Sequence, residues 1–192
     1  ARLWDMSGDL VATLQHDDRI EDARWNHNGT QILTWSQDNT VKLWDYLGNL
    51  MATLQHEDQV MGASWDQTDT RLLTWSLQTV HLWDNAGTPL ITLSQHTDLN
   101  GAHLTGDGNR ILSWSQEGIV NIWDNEGNML ATLPHTDQWD NPVWSPDEKS
   151  IVTWDAENAW LWDIDGNLIA NLPGDDEIVG TQWNVDGTRI LL

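Results

Sequence analysis

A Trp-Asp pair recurs along the whole chain, as Trp4-Asp5, Trp44-Asp45, Trp83-Asp84, Trp123-Asp124 and Trp162-Asp163, at intervals of 40, 39, 40 and 39 residues. A fixed period of this length marks a repeat architecture, in which each unit hides its apolar surface only against its neighbours. Two further series run in phase. Leu14, Leu54, Leu93, Leu133 and Leu172 form one, and Thr34-Trp35-Ser36, Thr74-Trp75-Ser76, Ser113-Trp114-Ser115 and Thr153-Trp154-Asp155 the other.

Each period reads as four short strands. Between 50 and 84 they fall at Leu50 to Leu54, Val60 to Trp65, Arg71 to Ser76 and Val80 to Trp83, separated by polar loops and turns. Asn28-Gly29, Asp107-Gly108 and Asp186-Gly187 are pairs that accept positive φ and join antiparallel strands. No segment keeps a helical period. Ile32-Leu33 recurs as Leu72-Leu73, Ile111-Leu112, Ile151-Val152 and Ile190-Leu191. Neighbouring residues in a strand point to opposite faces, so both faces of each sheet need cover, which adjacent sheets supply.

Composition narrows the function classes. There is no cysteine, so no disulfide framework holds the chain, while 15 tryptophans provide a core. Eight Lys and Arg against 30 Asp and Glu give a formal charge of −22. Such a field repels nucleic acid and anionic lipid and attracts basic partners. No apolar run is long enough to cross a bilayer, and no signal segment opens the sequence. A cytoplasmic location is the expectation.

The period near 40, the Leu-Trp-Asp strand ending and a His 28 residues before Trp44 resemble the WD40 family. The resemblance implies an all-β fold, a WD40-type β-propeller of five four-stranded antiparallel blades. The repeats divide near 6–45, 46–84, 85–124, 125–163, and 164–192 together with 1–5. The phases of the two ends suggest termini that share one blade and close a ring. An excised stretch of a longer array, or several chains sharing one ring, are the competing readings. The regular turns further resemble bacterial WD40 arrays, which implies a propeller that serves as a sensor or scaffold attached to a signalling or NTPase domain.

In that family a His, a Ser or Thr, an Asp and the Trp form a hydrogen-bonded network inside each blade. Carried over, the first full repeat supplies His16, Ser36, Asp38 and Trp44. The second has His56, Ser76 and Trp83 but Gln78 in place of Asp. The third has His96, Ser115 and Trp123 with Glu117, and the fourth has His135 and Trp162 with Asp155 in the Ser position. Only the first network is expected to be complete. The tryptophan of the Thr-Trp-Ser series is read either as packing between blades or as covering one mouth of the channel.

Nothing in the sequence builds a nucleophile, a phosphate cradle or a metal centre. The histidines come one per repeat, so they fix loops rather than converge as ligands. Asp163-x-Asp165-x-Asn167 imitates a calcium loop, but Leu168 and Gly174 stand where that loop needs Gly and Glu. No enzyme activity, cofactor or metal is expected. Positions that differ between repeats are free for function. The loops before each innermost strand carry Asp17, Asp18, Arg19, Glu57, Asp58, Gln59, Asp98, Asp137, Gln138, Asp175, Asp176 and Glu177. Glu21, Met61, Asn100 and Asp140 follow just inside that strand. Trp139 and Trp160 stand outside the regular tryptophan series, as partner anchors or as blade packing.

These residues frame an acidic rim. The expectation is a protein-interaction scaffold that presents it to a basic peptide or protein, working as a monomeric ring or by self-association that completes one. A small-ligand or glycan-binding propeller, and a structural repeat protein without a ligand, are the alternatives. The fold by itself does not choose among them.

Overall fold

A computed structural model describes residues 1–94, 97–134, 141–174 and 177–192. Its described residues contain strands and turns and no helix, hence none long and apolar enough to cross a membrane. The chain forms two compact units, residues 1–96 and 97–192.

The first unit holds three sheets. β1 (Arg2–Trp4) pairs with β2 (Leu10–Thr13). β3 (Ile20–Trp25), β4 (Gln31–Ser36), β5 (Thr40–Asp45) and β6 (Leu50–Gln55) form an antiparallel sheet in chain order. β7 (Val60–Trp65), β8 (Arg71–Ser76), β9 (Thr79–Asp84) and β10 (Pro89–Ser94) form the next. The second unit repeats the plan with β11 (Leu99–Leu104), β12 (Arg110–Ser115), β13 (Ile119–Asp124) and β14 (Met129–Pro134). β15 (Val143–Trp144), β16 (Ser150–Trp154), β17 (Asn158–Asp163) and β18 (Leu168–Pro173) follow. A two-stranded sheet of β19 (Gln182–Trp183) and β20 (Ile190–Leu191) ends it.

The strands expected between 50 and 84 match β6 to β9, but they do not share a sheet. β6 is the outer strand of the sheet before. Sequence repeat and sheet are thus one strand out of phase, and each four-stranded sheet is closed at its outer edge by residues of the following repeat. That overlap ties successive sheets together covalently through their loops.

The two-faced character of the strands decides where the core lies. In β4, Ile32 packs with Leu14, Trp44 and Leu3 on one side. Its neighbour Leu33 packs with Leu54, Val60, Trp65 and Leu72 on the other. In β16, Ile151 joins Leu112, Val120 and Leu133, while Val152 joins Ala159 and Ile178. Ile151 and Val152 are fully buried, as is Leu33. At about 1.5–3 kcal/mol for each large apolar side chain removed from water, these contacts are the main stabilising term.

The Asp of each Trp-Asp pair organises the turn that follows. Asp45 accepts from the amides of Leu47 (2.9 Å) and Asn49 (2.8 Å), and Asp163 does the same for Asp165 (3.0 Å) and Asn167 (2.7 Å). The Asp163 carboxylate is therefore occupied by its own hairpin. Gly48 in such a turn lies at φ 83°, and a Cβ there would meet the Ala12 methyl at 2.3 Å. The turn glycine and the small residue of the preceding outer strand let two sheets approach closely.

Candidate functional site

The loops that enter the innermost strands stand on the hydrogen-bonded network, and it is complete in the first repeat. Trp44 donates its indole N–H to Thr34 Oγ1 (2.9 Å), and Thr34 Oγ1 lies 2.7 Å from His16 Nε2. His16 Nδ1 lies 2.9 Å from Asp38 Oδ2. One assignment satisfies every group: Nδ1–H donates to Asp38, and Nε2 accepts from the Thr34 hydroxyl. Burial holds His16 below its ordinary value against the pull of Asp38, in keeping with a neutral ring. Burial works to raise Asp38, but donors from Thr40, Asp17 and His16 overcome it and bring its carboxyl down to about 2.

The hydroxyl between His and Trp is that of Thr34 rather than Ser36. Ser36 is buried two residues further along β4, nearer the loop, where its Oγ accepts from the Asp38 amide (3.1 Å). The reason is register: Thr34 stands opposite Lys42, one pair along from the Leu33–Leu43 rung and beside Trp44. The same position serves in the other sheets, where Trp83 donates to Thr74 (2.8 Å), Trp123 to Ser113 (2.9 Å) and Trp162 to Thr153 (2.8 Å). Ser76 instead bonds Thr79 (2.7 Å), and the Ser115 oxygen accepts from the Ile119 amide (3.4 Å).

Without an aspartate the second repeat builds something different. His56 is buried, and neither ring nitrogen has a hydrogen-bond partner. It packs edge-on against His81, centroids 4.8 Å apart, and lies 6.0 Å from Trp83. Burial, and then the charge of His81, push His56 down to about 3. His96 and His135 lie outside the described residues.

The acidic loop residues are surface groups. Asp17, Asp18, Arg19, Glu57, Asp58, Gln59, Asp98 and Glu177 are all exposed. Three of them are held through the backbone: the Asp17 amide donates to Asp38 (2.9 Å), the Arg19 carbonyl accepts from Gln37 (3.0 Å), and that of Asp98 accepts from Gln116 (2.9 Å). Loop and network are thus joined in the first repeat, where the Asp18 carboxylate also accepts from the Arg19 amide (2.7 Å). Asp137, Gln138, Trp139, Asp140, Asp175 and Asp176 lie outside the described residues.

The two residues that follow the first apolar residue of the inner strand have different roles. Glu21, Met61 and Asn100 are the extra residues of β-bulges, between Ile20 and Asp22, Val60 and Gly62, and Leu99 and Gly101. The bulge turns Glu21 and Met61 outward, and Met61 is 44% exposed. The second position is set by the tryptophan opposite. A Cβ on Gly62 would stand 2.2 Å from the Trp75 ring, and one on Gly101 2.3 Å from that of Trp114. Asp22 faces Trp35, over which the Arg24 guanidinium lies at 5.3 Å. Asn141 accepts the Trp114 N–H (2.8 Å). Asp22, Gly62, Gly101 and Asn141 are each matched to an indole, whereas a Cβ on Gly180, at the same position of the last repeat, would meet nothing within 4 Å. Trp35 and Trp154 belong to clusters between sheets, and Trp114 and Trp160 pack against one.

A second set of contacts escapes the sequence. Asp69, in the β7–β8 turn at φ 57°, accepts from the amides of His27 and Asn28 (both 2.9 Å) and from His27 Nδ1 (3.0 Å) in the β3–β4 turn. In the second unit Glu148, at φ 55°, accepts from the Gly106 amide (2.6 Å). Both stand where Gly29, Gly108 and Gly187 take the same backbone conformation in other repeats. An acidic residue at a glycine position, otherwise strained, is the signal that could have exposed them.

Residues 8–45 match the family described as WD40: WD domain, G-beta repeat. This is the span that carries the complete His16–Asp38–Trp44 set. No curated protein matches the chain.

Proposed function

We propose that the chain is a protein-interaction scaffold that offers its inner-strand loops to a basic peptide or protein segment. A WD40 repeat is present at residues 8–45, and repeats of this family generally mediate protein–protein interaction and are typically non-enzymatic. The observation that supports the finer reading is the placement of Asp17, Asp18, Glu57 and Asp58. Each is exposed, and the two loops that carry them are anchored by hydrogen bonds from the Asp17 amide to Asp38 and from the His56 amide to the Asn39 carbonyl. Loops held by their backbone lose little entropy on binding, and exposed carboxylates steer a cationic partner.

The carboxylates act through charge, so affinity should fall as salt rises. The test is titration of a labelled oligolysine peptide against the protein and against the combined variant Asp17→Asn, Asp18→Asn, Glu57→Gln, Asp58→Asn. A weaker complex for the variant, and a shallower salt dependence, are expected. Binding indifferent both to salt and to the substitutions removes the acidic-loop reading.

A further inference from the structure

We propose a second docking surface, at the start of β6, for an extended peptide segment that carries a cation. The proposal shares with the preceding section the reading of the chain as a protein-binding module, but it uses the other end of β6 from the acidic loop.

Four large apolar or aromatic side chains lie open there within six residues. Tyr46 is 57% exposed, Leu47 50%, Leu50 51% and Met51 49%. The corresponding turns of the other full sheets carry Asn85-Ala86, Asn125-Glu126 and Ile164-Asp165. A contiguous exposed apolar patch on a chain of charge −22 is a mark of an interaction site.

β6 is the last strand of its sheet, with one edge unpaired. Sheet edges are usually guarded by charge or proline. Among the six-residue outer strands β10 contains Pro89, β14 Pro134 and β18 Pro173, whereas β6 has neither proline nor charge. The His56 amide donates inward to the Asn39 carbonyl (3.0 Å). Alternation along the strand therefore turns the N–H and C=O of Gln55 and Thr53 outward. A bulge at Met51, between the Ala52–Leu43 and Leu50–Trp44 pairs, ends the regular edge. An added strand thus pairs along Ala52 to Gln55 and lays side chains on Leu50 and Met51 beyond it.

The chemistry at the end of that path favours a cation. A groove of about 400 Å³ opens beside Met51, lined among others by Asp45, Tyr46, Gln31, Asp69 and Asn85. Its lining includes no Lys or Arg, and its two carboxylates, Asp45 held by Leu47 and Asn49 and Asp69 by His27 and Asn28, act on a cation through their charge rather than as open acceptors. A partner running antiparallel to β6 reaches the groove with its C-terminal end, so its cation follows its strand-forming residues.

The probe is a dye-labelled, blocked peptide, Thr-Val-Thr-Val-Gly-Arg, followed by anisotropy. It should bind the intact protein. Binding should weaken about tenfold or more, the equivalent of one good contact, with Met51→Lys, with Tyr46→Ala, and with a probe N-methylated at both valines. N-methylation removes strand pairing while keeping the side chains. Both substitutions are at exposed sites, and circular dichroism checks that the fold is kept. The proposal is overturned by no binding, or by equal binding of the methylated probe or of Met51→Lys. It is also overturned if Asp17→Asn with Asp18→Asn abolishes binding while the β6 variants do not, and that outcome leaves the acidic-loop reading standing.

Discussion

His56 shows what one missing carboxylate does. Its counterpart His16 sits between Asp38 and Thr34 and is satisfied, whereas His56 is buried with two idle nitrogens. Protonation in the folded state is resisted down to about pH 3, while the unfolded ring takes its proton near pH 6.5. The unfolded state therefore binds more protons between these values, and the stability contributed by neutral His56 is complete above about pH 6.5 and declines below it. His81 and His103, also lowered by burial and pulled the other way by Glu57 and Glu148, add to the same slope. Asp38 acts lower: its contribution is present above about pH 3.9 and is lost as pH falls through about 2. Urea unfolding across pH 4 to 7 should show stability falling with acid, and His56→Leu should make the fall shallower. An unchanged slope in that variant would contradict the assignment. Gly62 and Gly101 make the complementary point about space. Gly62→Ala drives a methyl into the Trp75 ring and should cost about 1–3 kcal/mol. Gly180→Ala, with nothing within 4 Å, should change stability by less than about 0.5 kcal/mol.

Among the elements, the hairpin turns carry more of the assembly than their sequences announce. Asn28-Gly29 is readable as a turn because the residue types fit the backbone. That the turn one repeat later reaches back to it through Asp69 is not readable, because the contact spans 41 residues and depends on how two sheets pack. Burial opposes the Asp69 charge, and the donors of His27 and Asn28 outweigh it and hold the carboxyl below its ordinary value. Asp69→Ala leaves those amides without their acceptor and should cost about 1–3 kcal/mol in chemical denaturation. Asp69→Gly should cost less, since glycine adopts the positive φ without strain. Equal losses would mean that backbone conformation contributes nothing at this position. The strands themselves were largely open to sequence reading, since their period-2 pattern and turn residues agree. Which repeat supplies the outer strand of a sheet was not, because Leu50 to Leu54 reads the same whether it pairs with β5 or β7.

Across the molecule, charge and burial pull in opposite directions. A formal charge of −22 repels itself in the compact state, and many of the carboxylates lie on exposed loops and turns. Raising ionic strength from about 0.01 to 0.15 M shortens the Debye length from about 30 to 8 Å. The midpoint of thermal unfolding should rise over that range, as differential scanning calorimetry would record. A falling midpoint would mean that net attraction among surface charges outweighs their repulsion.

Periodicity alone determined the repeat, the strands and the need for cover on both faces, because these follow from side-chain alternation and from residues that tolerate particular turns. The resemblance to the WD40 family, rather than periodicity, marked His16, Asp38 and Trp44 as one set. Tertiary structure decided the rest. It placed Thr34 between His and Trp, left His56 without a partner, matched Gly62 and Gly101 to indoles, and set Asp69 and Glu148 against the preceding turns. Each of these depends on distances between residues far apart in the chain, which no local pattern encodes.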